Sequence, residues 1–331
     1  MADSTLAAIR LKVRKLARVP SVQQMSDAEI DEQINAFVLY DFPSQLRLFA
    51  LKETFKFYTT PYVDTYSTVT APATNPLYNF KNKYISIHPP FYMAGLRAQF
   101  TQSLDAIYNV YSKINFKQQI GTGDGLTTAF AGTLSNHPVL QNNVMFSSVD
   151  GIGNQILLTD VPNTPLVGDL VDSTGLAVGL IYYTTGVYTF NFGVAPALGQ
   201  SIFAQTVPYS PALPVMMCYY NDTFILRPVP DGVYSVEMDV YARPTELLAG
   251  QSPKLEQWWQ FIAYGAAKKV CEDRLEMELV QLLMPEYENQ KEQVLNTTIV
   301  QNSNKRMTTP FAEQVGSGSV GGPGTPSVFN N

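Results

Sequence analysis

Residues 167–193 read VGDLVDSTGLAVGLIYYTTGVYTFNFG, and this stretch decides how the middle of the chain folds. Short runs of β-branched and aromatic residues alternate there with Gly, Asp and Asn. The same pattern extends through GTGDGLTTAFAGTL at 121–134 and QILLTDVP at 155–162. Turn signals about every 8 to 12 residues between such runs are typical of a small antiparallel sandwich or barrel. The sequence therefore predicts an antiparallel β domain.

Charge separates this β-rich stretch from its neighbours. The chain has no Lys or Arg between Lys117 and Arg227. The acidic residues of that interval, most of which stand beside residues that favour turns, are Asp124, Asp150, Asp160, Asp169, Asp172 and Asp222. We therefore predict an accessory β module over residues 118–210, on the outside of any assembly that the chain forms.

Helical spacing dominates residues 1–54. Apolar residues recur at intervals of three and four, which predicts a helix over residues 6–18, before Pro20; they are Leu6, Ile9, Val13 and Leu16. Ser26 and Glu29 have the spacing of a capping box and predict the start of a second helix. We expect that helix to break near Phe42 and Pro43, and a short helix to run from residue 43 to about residue 52.

The C-terminal region, residues 251–303, has the same period. Apolar residues at helical spacing between Pro253 and Pro285 predict one long helix over residues 255–283, and a second from residue 285 to about 300. Neither terminal pair of helices can cover its apolar face alone, so we expect both pairs to pack together as one helical body.

Strands are expected to connect this body to the module. Residues 55–117 are predicted to be strands and loops, including AIYNVY at 106–111, and residues 211–250 to be strands that return to the body, with a hairpin turn at Asn221-Asp222-Thr223. Residues 304–331 are a Gly/Ser/Pro-rich arm. The predicted fold class is α+β, with antiparallel β domains inserted between N- and C-terminal helices.

The sequence offers little catalytic chemistry. His88 and His137 each precede a proline outside any metal or triad motif, and Cys218 and Cys271 are predicted to be buried. The glycines of residues 121–125 lack the Gly-Lys-Ser/Thr of a phosphate loop and favour a hairpin turn. We expect no enzyme activity, no catalytic residues, no metal and no cofactor, and we expect the Trp258-Trp259 pair to belong to the core rather than to a sugar platform.

Overall charge and hydropathy limit the partners. The formal net charge is −6 and only 15% of the residues are charged, against about 25% in an average soluble protein. No run approaches the roughly 18 apolar residues of a membrane helix, and the N-terminus does not have the pattern of a secretory signal. We expect no membrane association, and synthesis in the cytoplasm of the producing cell.

The first helix is strongly basic. Arg10, Lys12, Arg14, Lys15 and Arg18 face only Asp3 among the first 18 residues, and they could bind DNA phosphates or an acidic protein surface. A solvated helix face is the alternative. Reversing Arg10, Arg14 and Arg18 to Glu is expected to leave the fold intact, because the apolar stripe is untouched.

Three segments together resemble a known class of viral protein. Residues 9–49 (IRLKVRKLARVPSVQQMSDAEIDEQINAFVLYDFPSQLRLF), 77–114 (from LYNFKNKYISIHPP to YNVYSKI) and 256–295 (from EQWWQFIAYGAAKKV to ENQKEQVL) look like head-to-tail adaptors of short-tailed bacteriophages. Residues 121–140 are similar to small β modules of phage virion proteins. The chain departs from the simplest adaptors, which are smaller and mostly helical, by its β region from about residue 55 to 250.

The resemblance implies a ring, commonly of twelve copies, beneath the portal protein in the neck of the virion. Such a ring extends the channel for genomic DNA and carries the tail nozzle or tube and the fibres. Candidate DNA or portal contacts are then Arg10, Arg14, Lys15 and Arg18, and the candidate portal-docking residues of the arm are Phe311, Val328 and Phe329. The alternative function is a glycan-binding or glycan-degrading β module of a virion.

Overall fold

The computed structural model describes residues 4–46 and 49–297. Two compact units are present: one comprises the described parts of residues 1–51 and 244–331, and the other comprises residues 52–243. The first unit is helical and the second is built mainly from antiparallel sheets. The predicted α+β class is confirmed.

The helices are numbered in chain order. They are α1 (Leu6–Leu16), α2 (Asp27–Ala36), α3 (Phe42–Gln45), α4 (Phe80–Lys83), α5 (Leu104–Val110), α6 (Trp259–Asp273) and α7 (Met277–Thr297). A π-helical turn, Phe37–Asp41, joins α2 to α3, and 3-10 turns lie at Phe49–Leu51 and Glu256–Trp258.

The strands are numbered in the same way. They are β1 (Lys52–Tyr58), β2 (Thr65–Ser67), β3 (Tyr84–Met93), β4 (Leu96–Arg97), β5 (Gln99–Thr101), β6 (Phe116–Thr122), β7 (Ala129–Thr133), β8 (Met145–Val149), β9 (Gln155–Pro162), β10 (Val167–Val171), β11 (Ala177–Tyr182), β12 (Val187–Asn191), β13 (Ser201–Thr206), β14 (Met216–Tyr220), β15 (Thr223–Arg227) and β16 (Ser235–Ala242).

Helix α6 is the centre of the helical unit. α1, α2 and α7 all pack on it. Ile9 of α1 is fully buried, Phe37 meets Phe261 edge-on at 5.4 Å, and Phe42 lies 4.8 Å from Trp258 between ring centroids. Helices from the two ends of the chain therefore share one core, and Trp258 belongs to it.

The C-terminal helices correct the prediction of one helix over residues 255–283. α6 ends at Asp273 and α7 begins at Met277, because Leu275 adopts a φ of 58°, outside the right-handed helical region. The Glu276 N–H donates to the Cys271 carbonyl at 2.9 Å and closes the turn. Pro285 lies inside α7 and does not start a new helix. The apolar period continues across the break, so periodicity alone could not reveal it.

The N-terminal helices also differ from the prediction. The predicted capping box is present: the Glu29 N–H donates to Ser26 Oγ at 3.2 Å, and the Ser26 N–H donates to Glu29 Oε2 at 2.6 Å. No break precedes Pro43, which lies in the first turn of α3, where a missing N–H costs little. α3 ends at Gln45, well short of residue 52, where strand β1 already begins.

Two four-stranded sheets enclose one core in the second unit. Their strand orders are β1-β16-β3-β4 and β2-β15-β14-β5. Phe55, Phe57, Phe224 and Met238 are among the buried side chains between them. The turn predicted between β14 and β15 is confirmed: Asn221 and Asp222 have φ values of 47° and 56°, as a two-residue hairpin requires.

One segment predicted to be a strand is helical. Residues 106–111 belong largely to α5, whose N-terminus is capped by Ser103 Oγ, which accepts the Ala106 N–H at 3.4 Å. Ile107 of α5 is buried in a small cluster with Met216 and Cys218. The β-branched and aromatic residues that suggested a strand thus lie on a helix that packs against the sheet containing β14 and β5.

Residues 116–206, which contain no Lys or Arg after Lys117, form a nearly closed eight-stranded sheet, which we call the barrel. Its strand order is β6-β13-β8-β9-β10-β11-β12-β7, and the Ser135 N–H donates to Gln118 Oε1 at 2.8 Å across the two edges, which nearly closes it. Phe146, Leu158 and Leu170 fill its interior. Residues 121–122 end β6, and residues 123–125 begin the loop to β7. β6 and β7 are the two edge strands of the sheet and do not pair with each other, so the predicted hairpin is wrong.

Asp160 is the buried polar support of the barrel. Its carboxylate accepts the N–H groups of Asn142 at 2.6 Å and Val144 at 2.8 Å, and the Tyr183 hydroxyl at 2.8 Å. Three donors replace the water that this carboxylate loses on burial. Asp160 of β9 therefore holds the loop before β8 and the residue that follows β11, and does not act as a turn residue.

We predict that Gly265→Ala destabilises the helical unit by about 1 to 3 kcal/mol, because a Cβ there would lie 2.2 Å from the Phe37 ring in the shared core. Gly232→Ala is the matched control, since the nearest atom to its Cβ would be 3.5 Å away. Urea denaturation measures both. Equal stability of the two variants would contradict this packing.

Candidate interaction surfaces

Arg14 of the basic helix is a structural residue. Its side chain is only 9% exposed, and its guanidinium donates to the carbonyls of Val19 at 3.2 Å and Met25 at 2.9 Å and pairs with Asp27 at 2.6 Å. Arg14 holds the α1–α2 connection and is not accessible to DNA or a portal. Because Arg14 is buried and hydrogen-bonded, we now expect its reversal to Glu to destabilise the fold.

Arg10 is also engaged within the chain. It pairs with Asp31 at 2.5 Å and with Asp27 at 3.1 Å, and these carboxylates raise its pKa, the Asp31 hydrogen bond most of all. Arg14, followed by Arg10, lowers the pKa of Asp27. Two of the four predicted basic contacts thus tie α1 to α2, and a role in binding a partner stays a prediction only for Lys15 and Arg18.

The other two predicted contacts, Lys15 and Arg18, are exposed near the C-terminal end of α1. Leu11 is 60% exposed, and Lys15 follows it by one helical turn. α1 ends at Leu16 and not at residue 18 as predicted, so Arg18, with a φ of 53°, lies in the turn that follows the helix. Within residues 4–46 and 49–297, neither Lys15 nor Arg18 forms an ion pair. We call Leu11, Lys15 and Arg18 the α1 stripe.

One end of the barrel carries a second exposed surface. Strand directions bring four loops to this end: residues 123–128, 150–154, 172–176 and 192–200. Three of them are joined: the Gly125 N–H donates to the Pro196 carbonyl at 3.1 Å, and Asp150 and Pro196 form a β-bridge. We call these loops the barrel end.

Large apolar side chains project into solvent from these loops. Leu126 is 86% exposed, Ile152 85% and Leu198 82%, and Leu176 and Val194 are also exposed. Single exposed apolar residues are common, but a group at one end of a domain is typical of a protein-binding surface. The barrel end therefore has the character of an interface.

Asp residues fix these loops and give them negative charge. Asp124 accepts the Thr127 hydroxyl at 2.6 Å and the N–H groups of Thr127 and Leu126 at 2.7 Å and 2.9 Å. The Thr127 hydroxyl, followed by the N–H groups, lowers the pKa of Asp124 to about 2. The Thr174 hydroxyl likewise lowers the pKa of Asp172. The barrel end is therefore anionic, and its turns hold Asp124 and Asp172 by hydrogen bonds.

The other candidate residues lie apart from both surfaces. His88 is half-buried in β3, within 3.1 Å of Ser86 Oγ, and His137 is exposed in a loop. Cys218 and Cys271 are buried as predicted, and burial raises the pKa of each thiol. Phe311, Val328 and Phe329 lie outside the described residues.

Residues 4–46 and 49–297 contain no group of three or more His, Cys, Asp or Glu side chains placed to hold a metal ion. Within the same ranges, each helix is too short or too polar to cross a membrane.

Sequence reasoning missed the barrel end. Its Asp residues were identified as turn formers, and the contacts of Asp124 and Asp172 confirm this. The available signal was the apolar residue inside each turn, such as Leu126 in GDGLT and Leu198 in APALG. Only the strand order shows that these separate turns meet at one end.

We predict that Arg14→Met lowers the free energy of unfolding by about 2 to 3 kcal/mol, because it strips charged hydrogen bonds from buried carbonyls and from Asp27. Lys15→Met, the neighbouring exposed control, should change it by less than about 0.5 kcal/mol. Chemical denaturation measures both, and a fully stable Arg14→Met variant would refute the structural role.

We predict that the barrel loses stability as pH falls from about 4 towards 2. Asp124 has a pKa of about 2 in the fold and about 3.9 in an unfolded chain, so its contribution is complete above pH 4 and is lost as the folded carboxylate protonates. Thr127→Val removes the hydroxyl bond and should raise the pKa of Asp124. NMR titration of the Asp124 carboxyl is the measurement, and an unchanged midpoint would contradict this cause.

Comparison with known proteins adds no family. No protein-family model matches the chain. No curated protein matches it either. The basis for assigning a function is therefore the α1 stripe and the barrel end.

Proposed function

We propose that this chain is a structural virion protein of the head-to-tail adaptor class. Copies of it, twelve by resemblance to that class, would form a ring between the portal protein and the tail nozzle or tube. The ring would extend the channel for genomic DNA and provide attachment sites for fibres. The protein would be made in the host cytoplasm and reside in the virion neck.

The observation that carries this proposal is the barrel end. Rigid turns hold Leu126, Ile152 and Leu198 in solvent at more than four-fifths exposure, together with fixed carboxylates. Such a surface suits stable contact with another protein. The contact would remove the apolar side chains from water, and burial of apolar surface is favourable by about 25 cal/mol per Å². A structural assembly protein needs surfaces of this kind and no catalytic group.

The α1 stripe supports the ring in a second way. Lys15 and Arg18 of one copy are too few to bind DNA phosphates tightly at physiological salt, because affinity grows with the number of phosphates neutralised together. Cyclic symmetry repeats the same pair around an axis. The repeated charges could then face genomic DNA or an acidic rim of the portal.

The glycan-binding alternative receives less support. A sugar platform uses exposed aromatic rings, whereas Tyr188, Phe190 and Phe146 of the barrel lie in its core and Tyr182 of β11 is 44% exposed. We therefore keep glycan binding as an outcome of the test.

We expect the purified chain to bind the portal protein of the virus that encodes it and to add a ring of density beneath the portal in electron micrographs. Antibodies should detect the chain in purified virions. Failure of portal binding together with absence from virions would reject the proposal. Binding of the isolated chain to a glycan array, with no portal binding, would favour the alternative.

A further inference from the structure

We propose that the barrel end of one copy binds the α1 stripe of the next copy. This inference rests on the ring of the proposed function and names the contact that builds it. It assigns Lys15 and Arg18 to the neighbouring copy, in place of a contact with DNA or the portal. The occupant of the barrel end is thus a second copy of this chain, and the contact joins two different surfaces.

Both surfaces expose apolar side chains to solvent. The barrel end exposes Leu126, Ile152 and Leu198 almost completely, and the α1 stripe exposes Leu11 by 60%. Val22, 61% exposed, follows the stripe along the chain. Each surface leaves apolar area in water that the other can cover, and covering it supplies the non-directional part of the binding energy.

Charge complementarity is the second argument. Asp124 and Asp172 place fixed negative charges in the loops that expose Leu126 and Leu176, and the chain has no Lys or Arg between residues 117 and 227. Lys15 and Arg18 both follow Leu11 along the chain, and neither forms an ion pair within the described part of the chain. The long side chains of Lys15 and Arg18 can reach carboxylates that the turns already hold in place. Binding therefore costs conformational entropy mainly in the two cationic side chains.

The same charges weigh against other occupants. Duplex DNA and anionic lipid surfaces would meet the carboxylates of the barrel end, and like charges repel. A partner protein would need its own apolar patch with a cationic rim. The α1 stripe already has that chemistry and is present in every copy.

The contact has a symmetry consequence. An interface between two unlike surfaces of the same chain is heterologous, so each copy keeps one free surface of each kind after a first contact. Repetition then closes into a ring when the rotation between copies divides the circle, and otherwise it extends as a filament.

The test uses two variants of the full chain. Leu126→Ser with Leu198→Ser damages the barrel end, and Lys15→Glu with Arg18→Glu damages the α1 stripe. All four residues are exposed, so both variants should fold, and circular dichroism and thermal melting check this. The control for the barrel end is Val161→Ser, at a 49% exposed position on the barrel wall. The control for the stripe is Lys15→Arg with Arg18→Lys.

Mass photometry and analytical ultracentrifugation should give wild type and both controls as multimers at high concentration. Each damaged variant alone should remain a monomer. An equal mixture of the two should form a dimer and nothing larger, because only one intact pair of surfaces remains. No such dimer is expected from two like surfaces.

Three results would overturn the inference: a wild-type chain that stays monomeric at high concentration, damaged variants that assemble like wild type, or a mixture without the dimer. Failure of the proposed function is separate. Multimers that survive both double substitutions in a chain found in virions would reject this contact and leave the adaptor role standing. A dimer in the mixture, from a chain absent from virions, would do the reverse.

Discussion

The packing of the N-terminal helices on α6 is the constraint on which the rest of the structure depends. Phe37 and Phe42 find their partners, Phe261 and Trp258, more than two hundred residues later in the chain. The chain must therefore leave the helical unit after residue 51 and return by residue 244. The antiparallel pairing of β1 with β16, with Lys52 opposite Tyr241, brings the first and last strands of the second unit side by side.

The barrel repeats this arrangement at a smaller scale. β6 enters it and β13 leaves it, and these strands pair with Phe116 opposite Thr206. The fold is thus an insertion within an insertion, each bounded by paired strands. The barrel has a hydrophobic core of its own. It lies in the part of the chain that has no Lys or Arg between residues 117 and 227.

Sequence patterns predicted several elements whose apolar side chains face a core. The apolar spacing of α1, the capping box at Ser26 and the β texture of the barrel all describe side chains relative to a core, and all three were confirmed. The break between α6 and α7 could not be predicted in this way. The apolar residues keep the same spacing on both sides of Leu275, and this spacing carries no information about its positive φ. Partners in space were missed as well: Arg14 and Lys15 are adjacent basic residues in the sequence, and only the fold shows that one is buried and the other exposed.

The pairing of Phe116 with Thr206 also bears on how such a chain could change over generations. Backbones of paired residues lie about 5 Å apart, so a sheet-bounded module enters and leaves its host at nearly one point. A recombination event could exchange the whole barrel for another domain whose termini are adjacent, and the host strands would keep their register. A lineage could in this way acquire new attachment specificities quickly, while the helical unit changes slowly under the demands of its own packing.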